Sequence, residues 1–323
     1  MTRQRFAVAL GDPSGIGPEI ALRLAMDPAV RARCALTLVG DAAVLRAHAA
    51  GMGVTLGIGN EGITLPDGGR VGFAPVPIGA VPAIGKVSAE AGRATLAFLD
   101  EAVALARAGA ADAVLAGPHN ETAVNASGTR FAGYAPYLAA RLGVPEDKVF
   151  LMLSAPGLRV THVTLHQSVL GAIAALRTET ILEAIRASDA AARMLGHARP
   201  RIGVSGLNPH AGEGGLFGHE DAEIIAPAVE RARAEGILAD GPIGADVLLP
   251  ARQHDVCVVM LHDQGHVPVK LVAPRGAAAL TIGLPVLFSS VAHGCAHDIA
   301  GQGRAESGAL RCAVEVMLEA RGG

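Results

Sequence analysis

The stretch IGVSGLNPHAGEGG, residues 202–215, decides the fold class. Residues 202–205 are a short apolar run of strand length, and it stops in a loop containing Asn208, Pro209 and His210. A strand buried on both faces reads as such a run, and parallel sheets collect ligand-binding groups at the carboxyl ends of their strands. The pattern recurs: 6–10 leads into Gly11-Asp12-Pro13, 113–116 into Gly117-Pro118-His119, and 256–261 into His262-Asp263-Gln264. Further strands are expected at 35–39, 71–76, 149–153, 160–165, 267–272 and 286–289. Between them, 87–108 places Leu96, Leu99, Val103 and Ala106 on one helical stripe. Residues 220–235 do the same with Ile224, Ile225, Ala228 and Val229, and Pro227 should kink or break that helix. Strands alternating with helices imply βαβ units and a largely parallel sheet. Four polar loops at one sheet edge imply a single large cleft.

A chain of 323 residues, half of them apolar, fits one large α/β unit or two lobes sharing a cleft. The Pro- and Gly-rich residues 75–85 read as a loop rather than a boundary. Lys and Arg number 27 against 30 acidic residues, which argues against a nucleic-acid partner. The cysteines, Cys34, Cys257, Cys295 and Cys312, form no CxxC pair, so neither a disulfide scaffold nor a thiolate zinc site is expected. The apolar run after Met1 is too short for a signal peptide. The uncharged stretch 276–297 has the length of a membrane span but holds Gly283, Pro285, His293 and Gly294, so it reads as buried strands and loops. The expectation is a cytoplasmic chain with no membrane partner.

Three of the 12 histidines sit in chemically suggestive places. His166 ends an apolar strand, His210 lies in the 206–215 loop, and His262 opens HDQGH. Imidazoles from separate strand ends suit a catalytic metal site with open positions, although a surface or core histidine is the commoner case. His162/His166 and His262/His266 have HxxxH spacing, but both segments read as extended, which excludes a helical two-ligand site. Lys270 interrupts VPVKLVAP and is either a snorkelling strand-end lysine or an ammonium that holds a carboxylate or exchanges protons. GDPSGIGPEI fits neither phosphate-loop fingerprint; Pro18-Glu19 reads as a first helical turn.

GDPSGIGPEI, AGPHNETA, GLNPHAGEGGLFGHED, MLHDQGHVPVKL and AHGCAHDIAG, in this order, resemble the 4-hydroxythreonine-4-phosphate dehydrogenase family. The resemblance implies a two-lobed α/β/α fold with mostly parallel sheets and a central cleft, similar to isocitrate and isopropylmalate dehydrogenases. It places one lobe at 1–128 plus 263–323 and the other at 129–262. It implies a divalent metal, expected to be zinc, on His166, His210 and His262, the third from the partner subunit of a homodimer. It places Asp246 and Lys270 in the substrate site as the catalytic pair. The 293–301 loop resembles the one that holds the adenosine end of NAD in the isopropylmalate enzymes. Asp12, His293, Gly294, Asp298 and Gly301 are therefore the expected contacts of NAD or NADP.

The chain departs from that family's vitamin B6 enzymes where they grip substrate. Tyr134-Ala135 stands in place of a His-Thr pair, Phe288 of Arg, Ala279 of Asn and Glu121 of Lys. A phosphate dianion needs donors and positive charge, and each lost charged contact costs on the order of 2–5 kcal/mol. The segments at 117–123, 131–136 and 163–168 instead resemble a branch of terephthalate dihydrodiol dehydrogenases. That branch implies a small dicarboxylate diol as substrate, with Tyr134, Ala135, Asn208 and Phe288 as its contacts, and oxidation to a catechol acid with loss of carbon dioxide. The rivals are a dehydrogenase of 4-phosphohydroxy-threonine or another phosphorylated hydroxy acid, and a non-catalytic metal- or ligand-binding homologue.

Overall fold

The computed structural model describes residues 3–59, 61–274, 277–291 and 293–319. The chain runs β1 (Gln4–Ala9), α1 (Gly17–Met26), α2 (Pro28–Arg33), β2 (Cys34–Gly40), α3 (Ala42–Gly51), β3 (Gly57–Gly59), β4 (Gly62–Thr64), β5 (Arg70–Pro75), α4 (Ala89–Arg107), β6 (Ala113–Ala116), α5 (Glu121–Ala126) and α6 (Tyr134–Leu142). It continues through β7 (Phe150–Ala155), β8 (Leu158–His162), α7 (Val169–Ala175), α8 (Thr178–Met194), β9 (Arg201–Ser205), α9 (Ala226–Ala234), β10 (Leu238–Ile243), α10 (Ala245–Ala251) and β11 (Val256–Val259). It ends with α11 (His262–Val272), β12 (Ala278–Ile282), β13 (Phe288–Ser290) and α12 (Gly308–Glu319).

The described residues form two compact units, one from 3–137 and 285–318 and the other from 138–284. The first has strand order β13-β6-β1-β2-β5-β4-β3. It is parallel from β13 to β5, and β4 and β3 add an antiparallel edge. Phe6, Val8, Leu38, Leu115 and Phe98 are buried on and against it. Each such side chain contributes about 1.5–3 kcal/mol by leaving water. The second has order β10-β9-β11-β8-β7-β12, parallel except where β7 meets β8 and β12. Leu153, Val160, Leu248, Cys257, Val259 and Val269 form one of its buried clusters.

Several expectations change in the structure. Residues 262–272 form α11 rather than a loop followed by a strand. Apolar residues at 267, 269 and 271 keep a strand's period, but on α11 only Val269 among them is buried, and Pro268 falls in the helix without ending it. Since α11 packs on β7 and β8, it belongs to the second unit, and the later chain crossing falls at 284/285 instead of 262/263. The strand expected at 160–165 ends at His162. β10 and β12 were absent from the expected strands, because Gly241-Pro242 and short Ala-rich runs give no strand signal. Pro227 does interrupt its helix: residues 221–225 form a π turn before α9, since proline has no N–H to donate.

In each unit two of the four polar loops lie side by side at the carboxyl ends of neighbouring parallel strands. β1 and β6 bring together the Asp12 and Gly117 loops, where the Asp12 N–H donates to the Pro118 carbonyl at 2.8 Å. β9 and β11 do the same for the Asn208 loop and His262. Gln264 ties that second pair: its Oε1 accepts from Met260 and Leu261 N–H, and its Nε2 donates to the Gly206 carbonyl.

Candidate active site

In the second unit, a row of imidazoles gathers where β8 ends and α11 begins. His262, His266 and Lys270 follow one another at four-residue intervals along α11, so they share one helix face. The His262 and His266 rings stack with centroids 3.7 Å apart and planes 11° from parallel. His266 Nδ1 lies 3.0 Å from Nε2 of the buried His162. Gly265 permits this approach, because a Cβ there would sit 2.3 Å from His162 Nε2. The helical pairing of His262 with His266 was excluded on the assumption of an extended segment; the helix overturns that assumption. His162 and His266 were accordingly missed, and only their spacing to His166 and His262 pointed to them.

Burial, reinforced by the neighbouring His266, pushes the His162 pKa down to about 3. His166 lies in the turn after β8, exposed, with its ring 5.8 Å from that of His262. Two imidazoles on one tetrahedral ion place their centroids about 5 Å apart, so this pair lies near coordinating separation. His262 Nδ1 sits 2.6 Å from Asp263 Oδ1, and His210 Nδ1 sits 3.0 Å from Glu213 Oε2. A carboxylate on one ring nitrogen sets the tautomer that leaves the other nitrogen free to coordinate.

His210 stands in a left-handed stretch, with φ of 52° at His210, 53° at Ala211 and 43° at Glu213. Non-glycine residues in that region cost about 1–3 kcal/mol each, a strain typical of functional loops. Buried Asp221 holds the loop by accepting from the N–H groups of Leu207 and Asn208 and from Asn208 Nδ2. The Asn208 side chain is thereby engaged within the loop, and it also donates to Glu220. Asp246 is exposed in the first turn of α10; it lines a cavity of about 540 Å³ with Asp263, Gln264, Val267 and Leu271. Lys270 is exposed. His166, His210 and His262 do not converge within one chain: among the described residues, the one group of three whose ligand atoms all lie within 4.8 Å is Asp12, Cys295 and His297.

That group belongs to the first unit. Asp12 is fully buried; its Oδ1 accepts from Ser14 N–H at 2.8 Å and Ser14 Oγ at 2.6 Å, and its Oδ2 lies 3.1 Å from His297 Nε2. Nearby, His119 (4.2 Å between centroids), Phe131 (5.9 Å) and Phe288 (5.6 Å) surround Tyr134. The Tyr134 hydroxyl donates to the Gly117 carbonyl at 2.9 Å, and Phe288 is fully buried. Ala135 is half-buried on α6, and His293, Gly294 and Asp298 are exposed in their loop, which closes through Gly301 at φ 71°. Burial holds His119 below the usual imidazole range, so the cluster carries no positive charge near neutral pH.

His48, another residue that the sequence did not single out, lies beneath the Asp12 loop with Nε2 2.9 Å from the Pro13 carbonyl. Burial lowers its pKa, against the raising pull of that hydrogen bond and of Glu19 and Asp12. His48 and His162 are therefore held neutral in the folded chain, with pKa values below the unfolded value of about 6.5. The stability they contribute is present above pH ~6.5 and lost as pH falls below it. Thermal melts should accordingly drop between about pH 6.5 and 5, before most carboxylates titrate. In the double variant His48→Gln/His162→Gln that drop should flatten; an equally steep fall would clear these histidines of the effect.

Against this geometry, the family model described as "Pyridoxal phosphate biosynthetic protein PdxA" matches residues 32–317. The chain belongs to the PdxA family. Among its relatives is the 1,2-dihydroxy-3,5-cyclohexadiene-1,4-dicarboxylate dehydrogenase of a Comamonas species, 44% identical over 313 residues that cover 96% of each chain. The D-threonate 4-phosphate dehydrogenase of Cupriavidus necator is 41% identical, covering 94% of this chain and 93% of that one. The crystal structure of a 4-hydroxythreonine-4-phosphate dehydrogenase from Burkholderia phymatum superposes with a TM-score of 0.89 at 34% identity, covering 99% of this chain and 98% of that one. These PdxA relatives are dehydrogenases, which places the chain among oxidoreductases, and the match of the mixed α/β fold extends over the whole chain.

Proposed function

We propose that this PdxA-family chain oxidises a cyclic cis-diol dicarboxylate, terephthalate cis-dihydrodiol, to the catechol acid protocatechuate with loss of carbon dioxide. NAD or NADP takes the hydride. The observation that carries the choice of substrate is the cluster of His119, Phe131, Tyr134 and Phe288, uncharged, with Glu121 exposed beside it. By the resemblance, the phosphate-binding enzymes present His, Thr, Arg and Lys at positions 134, 135, 288 and 121. A phosphate dianion would meet neutral rings and a carboxylate here instead, which is unfavourable without compensating charge. The 44% identity to a dehydrogenase of that diol supports the same reading. The 41% identity to a D-threonate 4-phosphate dehydrogenase favours the alternative, a phosphorylated hydroxy acid, and makes it the second reading.

In this reading a divalent metal, expected to be zinc, is held by His166, His210 and His262. The carboxylate partners of His210 and His262 are the outer shell that such ligands use. Bound there, the ion would supply Lewis acidity to the substrate hydroxyl that is oxidised. Lys270, on the His262 face of α11, then anchors a substrate carboxylate or exchanges the hydroxyl proton, and Asp246 orients the substrate from α10. The exposed His293, Gly294 and Asp298 of the 293–301 loop serve the cofactor. Val169, Leu170, Leu216, Phe217, Val247 and Leu271 are exposed apolar side chains of the second unit, available to a second subunit. The absence of convergence of the three histidines within one chain supports a metal site shared across that dimer. Among the described residues no helix is long and apolar enough to cross a membrane.

NADH or NADPH production, measured separately with the diol dicarboxylate and with 4-phosphohydroxy-threonine and D-threonate 4-phosphate, tests the reading. Turnover of the diol alone is the expected result. Robust oxidation of a phosphorylated acid with none of the diol would transfer the assignment to the second reading, and inactivity on all three would favour a binding homologue.

A further inference from the structure

A buried Asp-Cys-His group lies apart from the histidines discussed above, where the loop after β1 meets the loop before α12. Three side chains converge on one carboxylate. Ser14 donates to Asp12 Oδ1 twice, His297 Nε2 faces Oδ2 at 3.1 Å, and Cys295 holds its Sγ within 4.8 Å of the Asp12 and His297 ligand atoms. Asp12 and Cys295 are buried, and His297 is largely so. Positive φ at Ala296 (41°) bends the short Cys295–His297 segment around this point. Gly15 allows the two loops to close, because a Cβ there would lie 2.6 Å from Cys295 Cβ.

The geometry points to a second metal site in this chain, formed by Asp12 Oδ2, Cys295 Sγ and His297 Nε2, that takes a thiophilic divalent cation of the zinc type. One oxygen, one sulfur and one nitrogen are a ligand set that zinc accepts, with a fourth position left open. Neighbouring nitrogen and oxygen ligands of a tetrahedral zinc stand about 3.3 Å apart, from metal–ligand distances near 2.0 Å. Asp12 and His297 already hold nearly that separation, and the sulfur lies within 4.8 Å of both. The Ser14 hydrogen bonds occupy Oδ1 and aim Oδ2 at the site, the role an outer-shell donor plays. On binding, the thiol proton passes to solvent, and the His297 ring takes the tautomer with its proton on Nδ1, which leaves Nε2 free for the ion. This site differs from the three-histidine centre in having a thiolate, and the difference gives it a spectroscopic signature.

The test is titration of the full-length protein with cobalt(II) chloride under reducing conditions, followed by absorption. A near-ultraviolet thiolate-to-cobalt charge-transfer band is expected, and it should persist in His210→Ala, which removes only the other centre, and in Cys312→Ser. Cys295→Ser should abolish the band. His297→Ala should weaken cobalt binding there by more than about 10-fold, the loss that removal of even an outer-shell partner brings. His297→Gln provides a gentler variant should the alanine disturb folding, and the same weakening is expected of it. Cobalt occupancy without any charge-transfer band, or a band that survives Cys295→Ser, would overturn the site and leave Asp12 and His297 as a hydrogen-bonded pair. Because the band needs the thiolate, its failure leaves the three-histidine reading untouched, and failure of that reading leaves the band in place.

Discussion

His262→Ala should lower turnover by more than about 100-fold, beyond the range seen when only an outer-shell partner of a metal ligand is removed. His210→Ala should do the same, and both variants should retain less metal by elemental analysis. The informative experiment mixes them. If one site draws His210 from one subunit and His262 from the other, each mixed dimer rebuilds one intact site and one site lacking both. Random exchange then yields about a quarter of wild-type activity, since half the dimers are mixed and half of their sites work. The structure motivates this outcome by holding His166 beside His262 while His210 stays with Glu213 and Phe217 in its own left-handed loop. No recovery after verified subunit exchange would mean that each chain completes its own site, and full metal content in His210→Ala would remove that residue from the ligand set.

Phe288→Arg is expected to be the most damaging single change to folding. Phe288 is fully buried on β13, between the neighbouring strand β6 and the edge of the Tyr134 ring. Replacing the ring forfeits its burial and places an unpaired guanidinium in the core, at a cost of roughly 3–5 kcal/mol. Total stabilities of about 5–15 kcal/mol leave little margin, and the melting temperature should fall by roughly 10 °C. Combining it with Tyr134→His and Ala135→Thr restores the residue types of the phosphate-binding relatives. The triple variant should lose diol turnover, and phosphate at high concentration should recover part of the lost stability by pairing with the arginine. An unchanged melting temperature in Phe288→Arg would mean that position 288 already accommodates a cation, and the argument for the diol from lost charge at this position would fail with it.

The α/β class, most strands, the long helix α4, the break at Pro227 and the polar loops were legible because each depends on local patterning. A buried parallel strand has to be an apolar run of a few residues, and proline has to interrupt a helical ladder wherever it stands. The same local reading made residues 267–272 a strand, because a short apolar run with one lysine keeps a strand's period, and only packing on β7 and β8 selects the helix. That choice had consequences for the site. On a strand, His262, His266 and Lys270 would share a face but stand about 13 Å apart in sequence order; on α11 they lie about one turn apart, so the His262 and His266 rings stack, and His162 joins them from the end of β8.

By itself, the sequence determined which residue types stand at the strand ends: His166, His210, His262, Asp12 and the 293–301 loop, together with the loss of charged residues at 134, 288 and 121. Only the tertiary structure decided which of them meet. It brought Cys295 and His297 onto Asp12 across more than 280 positions of chain, buried Phe288, and kept His210 apart from His166 and His262 within one subunit. Side-chain identity and short-range periodicity are properties of neighbours along the chain. Convergence, burial and the pKa shifts that follow depend on the sheet order, which is settled by the long-range packing of the whole chain.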